Sequence, residues 1–192
     1  MAAVPRETKR EILDAAEAML QERGFNAFSY HHIAERLGVK NAAIHYHFRS
    51  KADLGVAVIE RYRRRFARWA EKLDAEERDP WLKLEAFFQI YLDFKIRGGK
   101  ICPSGILQAE YHSIPEEMRA SASALIVDLQ EWLTGTLAQG REQGAFQFPG
   151  EPADQAMVVG ATLQGALQIA RAWGPERFDT ALEQLRRQMR PS

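Results

Sequence analysis

The sequence predicts an all-α chain of about nine helices, a compact three-helix N-terminal segment of helix-turn-helix type followed by a longer helical domain. Three observations lead there. Apolar residues recur at spacings of three and four along most of the 192 residues. Alternation of β-branched and polar residues never persists long enough for a strand. Glycine and proline punctuate the chain where the helical pattern stops.

The elements follow in order. Ile12, Leu13, Ala16, Met19 and Leu20 form one apolar face of a first helix from about Glu7 to Arg23, ended by Gly24. Ser29 is a good N-cap for a second, with Ile33, Ala34 and Leu37 turned inward and Gly38 breaking it. A short third covers about Asn41 to Phe48, and Ser50 caps a fourth from Lys51 to about Leu73. Pro80 opens an aromatic-rich fifth helix to Lys95, stopped by Gly98-Gly99. A short helix then reaches about His112, and a long one runs from Ile114-Pro115 to near Gly144. After the turn Phe148-Pro149-Gly150-Glu151-Pro152, the last two helices span Ala153 to Trp173 and Gly174-Pro175 to about Met189. The expected domains are 1–50 and 51–192, with 51–73 as a connecting helix.

Hydrophobic content of 46 % and charged content of 27 % are ordinary for a soluble globular protein. No apolar run suits a membrane span, and Met1-Ala2-Ala3-Val4-Pro5-Arg6 carries no apolar leader. The single cysteine, Cys102, excludes an internal disulfide and points to a reducing, cytoplasmic setting. The zero net charge conceals two opposite halves. Residues 1–70 hold 13 Lys+Arg against 8 Asp+Glu, whereas 71–192 hold 13 against 18. A basic front suits a protein presenting one end to a polyanion.

The chemistry concentrates between Ser29 and Phe48. Two short helices meet at Gly38 through a turn of about three residues. Ala34 permits close approach, and Val39 and Ile44 fill the angle between the helices. This is what a helix-turn-helix needs to set its second helix in a major groove. The outward face of that helix is Lys40, Asn41, Ala42, Ala43, His45 and His47. Lysine can reach a phosphate or a guanine edge, asparagine can pair with adenine, and alanine methyls can meet a thymine methyl.

From Lys9 to Phe66 the chain resembles the TetR family of regulators. The resemblance rests on Arg23-Gly24-Phe25, Ile33-Ala34, Leu37-Gly38-Val39, Ile44-His45-Tyr46-His47-Phe48 and Ser50-Lys51-Ala52-Asp53-Leu54, in that order and spacing. It implies that His31 lies near a base or phosphate, that Lys40 to Ala43 read bases, and that His45, His47 and Lys51 approach the DNA backbone. Tyr46 and Phe48 look partly structural, locking the third helix to the others. His45 stands where the family usually has tyrosine, so operator binding could gain some pH dependence. The candidate DNA-contacting set is Ser29, His31, Lys40, Asn41, Ala42, Ala43, His45, Tyr46, His47 and Lys51. Double-stranded operator DNA is the implied partner, bound as a homodimer and controlled by a small-molecule effector in the second domain.

Candidate effector contacts in that domain are Phe87, Phe88, Tyr91, Phe94, Cys102, Tyr111, Trp132 and Met157, although aromatics at helical spacing more often build core. Cys102 lies at a helix start close to Lys100, a setting that favours a reactive thiolate. The segment also resembles relatives in which such a cysteine answers oxidants or electrophiles; packing is the other reading. Ala156, Gly160, Leu163 and Ala170, with Phe178, Leu182 and Leu185, suggest two helices forming a dimer interface, or packing within the chain.

Competing functions find less support. There is no phosphate-cradling glycine loop, no nucleophile–histidine–acid set on a known scaffold and no cofactor motif. His31–His32 and His45–His47 lack the spacing for a shared metal. An enzyme is therefore not expected. A protein-interaction module using the helical domain alone remains open. The run Arg61, Arg63, Arg64, Arg65 and Arg68 reads as a DNA-facing strip or a solvated face.

Overall fold

A computed structural model describes residues 5–96 and 100–191. The readings at Met1–Val4 and at Gly98-Gly99 lie outside them. All regular structure among the described residues is α-helical: α1 (Pro5–Arg23), α2 (Tyr30–Leu37), α3 (Asn41–His47), α4 (Lys51–Glu76), α5 (Pro80–Ile96), α6 (Pro103–Ala109), α7 (Glu116–Glu142), α8 (Pro152–Trp173) and α9 (Glu176–Met189). The helix after Pro103 ends three residues earlier than its sequence suggests, because the chain turns through Glu110–Ser113. No described helix is long and apolar enough to cross a membrane.

The chain divides into two compact units, one of residues 1–64 and 103–125, the other of 65–102 and 126–192. The first therefore holds α1–α3, α6, the front of α4 and the front of α7.

In the first unit, α1 buries Ile12, Ala16, Met19 and Leu20 along one face, as their spacing requires. Ile33 and Ala34 of α2, Ile44 of α3, and Leu54, Val58 and Ile59 of α4 are buried in the same unit. Gln21, itself buried, donates to the Tyr62 hydroxyl at 2.8 Å.

The second unit is organised around α5. Its sequence is apolar nearly all round, and such a helix must be covered on several sides. Leu84, Phe87, Phe88 and Tyr91 are all at most 3 % exposed. They pack with Leu133 and Leu137 of α7, Ala156, Val159 and Leu163 of α8, and Phe178, Leu182 and Leu185 of α9. Polar anchors close the edges. Arg186 donates to both carboxylate oxygens of Glu85, at 2.7 and 2.5 Å, and that bond holds its guanidinium pKa above the usual value. Lys83, with its side chain 7 % exposed, is paired with Asp74 at 2.8 Å and donates to Gln139.

Candidate nucleic-acid interface

The turn between α2 and α3 is built from local chemistry. Ser29 caps α2 in a capping box, its backbone N–H donating to His32 Nδ1 at 3.1 Å. Gly38 adopts φ +65 and has open space around it, so it is required by backbone conformation and not by crowding. The Val39 N–H then returns to the Ala34 carbonyl at 3.0 Å, closing the corner.

Below that corner, Ile44 is fully buried and Tyr30 is 8 % exposed. The Tyr30 hydroxyl donates to the carbonyl oxygens of Phe48, at 3.0 Å, and Ser50. These two acceptors lie where α3 ends and α4 begins, so one phenol fixes α3 against α2. The Tyr30 ring also meets His45 edge-on, with centroids 4.8 Å apart. Burial, assisted by the negative charge of Asp53, pushes the phenol pKa up to about 12 from its ordinary 10.0. A raised pKa means the folded state holds the proton longer than the unfolded chain. This contribution to stability is full below pH 10 and is lost as pH climbs through about 12. Tyr30→Phe is expected to cost about 1–2 kcal/mol in urea unfolding at neutral pH. It should also flatten the alkaline fall in stability measured across that window.

The outward face of α3 stands clear. Lys40, Asn41, Ala42 and His45 are exposed, while Ala43 and His47 are half-buried. His31 on α2 and Ser29 at its cap are exposed beside them. Tyr46 is 79 % exposed and Phe48 only 5 %, which divides a pair that the sequence treats alike. Phe48 locks α3, with Lys9 over its ring, whereas Tyr46 points out with Asn41, Ala42 and His45. Arg49, exposed directly after α3, adds a cation that sequence reasoning overlooked. Its only signal is a basic residue flanking the aromatic block.

Lys51, which the resemblance places on the DNA backbone, has its side chain turned toward the protein here. Its ammonium donates to the Phe25 carbonyl at 2.6 Å and lies 4.2 and 4.6 Å from the ring centroids of Phe25 and Phe28. Burial lowers its pKa, opposed by the nearby Glu110 carboxylate. Lys51 therefore braces the α1–α2 turn.

Glu110, which with His112 is the nearest thing to a catalytic cluster beside Cys102 in the sequence, completes that brace instead. Its carboxylate accepts the Phe25 N–H at 2.7 Å and the Asn26 N–H at 3.4 Å, while the Asn26 amide donates to Ser113 Oγ at 2.8 Å. Gly24, with φ +88, makes room, since a Cβ there would lie 2.6 Å from Glu110 Oε1. Nothing local signals a contact across 85 residues.

The candidate effector residues are scattered. Phe87 stacks on Trp132 with centroids 5.6 Å apart, beside Tyr91 and Trp69, in a filled aromatic cluster, and Phe88 is wholly buried. Phe94 borders a hollow of about 240 Å³. Cys102 is 6 % exposed, with the Gln164 amide donating toward its sulfur at 3.7 Å. Tyr111 lies in the first unit, hydrogen-bonded to Ser123 at 3.1 Å. Met157 is 62 % exposed on α8.

The expected dimer residues also turn inward. Ala156, Leu163, Phe178, Leu182 and Leu185 are at most 2 % exposed, spent on packing α5, α8 and α9. Gly160 lies under the Gln130 side chain, and Ala170 is half-buried. The outer face of α8 carries Val158, Ala161, Gly165, Ile169 and Trp173 instead, all exposed.

The comparisons with known proteins agree with this geometry. Residues 12–58 match the family model of bacterial regulatory proteins, tetR family. The probable HTH-type transcriptional regulator ArpR of Pseudomonas putida is 30 % identical over 151 residues, 76 % of this chain and 70 % of that one. The chain belongs to the TetR family. Other TetR-family members resemble it along nearly its whole length. The transcriptional repressor NemR of Escherichia coli K12 is 29 % identical over 175 residues, 88 % of each chain. The crystal structure of its reduced form gives a TM-score of 0.81 at 28 % identity, covering 95 % of this chain and 97 % of that one. A TetR-family regulator from Agrobacterium tumefaciens gives 0.91 at 29 % identity, covering 97 % and 100 %. The chain is thus a TetR-family helix-turn-helix transcriptional regulator.

Proposed function

We propose that this protein is a cytoplasmic repressor that binds a near-palindromic operator as a homodimer and lets go when a small molecule binds the second unit. The observation carrying the reading is the exposed face of α3, with Lys40, Asn41, Ala42, His45 and Tyr46 outward over a base fixed by Ile44 and Tyr30. His31, Ser29, Ala43 and His47 flank it. Two such heads one DNA turn apart would recover the affinity that one short helix lacks. The outer stripe of α8 supports pairing, because a Cβ at Gly165 would meet nothing in the chain and its apolar neighbours stand in water.

A gel-shift titration on the DNA flanking its own gene tests this. Binding should be sequence-selective and fall with salt. Asn41→Ala is expected to cost about 1–3 kcal/mol and relax preference at one base pair of each half-site. Binding indifferent to sequence would sink the reading.

A second reading, a thiol sensor on the same scaffold, draws on the buried Cys102 and its Gln164 contact, and on the relative crystallised in a reduced form. Full alkylation of Cys102 with N-ethylmaleimide should then release the operator. Unchanged affinity after complete modification would leave Cys102 as packing.

A further inference from the structure

The hollow beside Phe94 differs from the rest of the second unit. Phe94 of α5 and Leu167 and Ala170 of α8 form its apolar wall, and Lys95, Lys100 and Arg171 surround it. Three cations thus converge on one apolar surface in a part of the chain whose net charge is negative. Lys95 is held by Asp179 at 2.6 Å. Among the described residues, Lys100 and Arg171 have no carboxylate partner, and Arg171 is held only by the Gln168 side-chain oxygen at 3.2 Å. A bare phosphate would leave the wall unused, and a neutral apolar molecule would lie among cations with nothing to offset them. At about 240 Å³ the space falls just under the range of about 300–1,000 Å³ typical of drug-sized ligands.

We infer that this hollow binds a small organic anion, a carboxylate with a short aliphatic or single-ring body. The body lies against Phe94, Leu167 and Ala170, and the charge is met by Lys100 and Arg171. Its use as the effector site rests on the regulator reading above; the binding itself does not.

Calorimetric titration of the full-length protein with octanoate and benzoate tests the site, with octan-1-ol, benzyl alcohol and inorganic phosphate as controls. At least one carboxylate should bind saturably, more tightly at low salt, and each control more weakly. The double variant Lys100→Gln/Arg171→Gln should weaken binding on the order of tenfold or more. Ala170→Phe should abolish it by filling the space. All three positions lie at the surface or half-buried, and thermal melts are the check that the variants fold. Failure of both carboxylates to bind, equal binding of the alcohols or phosphate, or unchanged affinity in the double variant each overturns the inference. A gel shift with the same ligands separates the two readings. Carboxylate binding without operator release keeps the anion site and removes its role as effector site. Selective operator binding with no carboxylate affinity removes the site and leaves the regulator.

Discussion

Ala42→Glu is expected to abolish operator binding while leaving thermal unfolding unchanged. Ala42 is exposed on α3, between Asn41 and the buried Ile44, and takes no part in the core. A carboxylate there would face phosphates at the centre of the reading surface, where like charges cost several kcal/mol. Affinity should fall by about a hundredfold or more in a gel shift. Ala42→Ser, which keeps the size and adds no charge, should retain most of it. If the glutamate variant binds as tightly as the parent, α3 does not enter the groove by this face.

Phe87→Ala should have the largest effect on stability. The ring is 1 % exposed and stacks on Trp132 at an interplanar angle of 24°, with Trp69 and Tyr91 on its other sides. Removing it leaves a cavity bordered by three large aromatic side chains that collapse poorly. The expected cost is about 3–5 kcal/mol in chemical unfolding. Phe87→Leu, which refills most of the volume, should cost less than half of that. Trp132 emission should shift to the red in the alanine variant, since its stacking neighbour is gone.

The sequence was most readable where the determining chemistry is local. Ser29, Gly38 and Ile44 define the α2–α3 corner within sixteen residues, and each is where its pattern requires. The start of α4 after Ser50 and the end of α8 before Gly174 also follow from local residues, whereas α4 runs on to Glu76, past the expected Leu73, and α8 starts at Pro152, a residue that the sequence places in the turn. What escaped depends on the choice of a face or on distant partners. α8 is apolar on two sides, with Leu163 and Leu167 buried and Val158 and Ile169 exposed, so periodicity alone cannot say which side turns inward. That is why Ala156 and Leu163 were expected at an interface and Met157 in a pocket. Lys51 was assigned outward by analogy, whereas the Phe25 carbonyl and two aromatic faces offered it better company. The bracing role of Glu110 could not be found without the fold, because its partners lie at Phe25 and Asn26.

The Glu110 brace bears on how such regulators can be recombined. A chimera joining the DNA specificity of one protein to the chemical sensitivity of another could be cut once, behind α3. Here a single cut after α3 or within α4 would leave Phe25 and Asn26 facing a foreign residue in place of Glu110, with Gly24 holding open a space shaped for that carboxylate. A functional graft must carry two pieces of chain, 1–64 and 103–125, as one transplant.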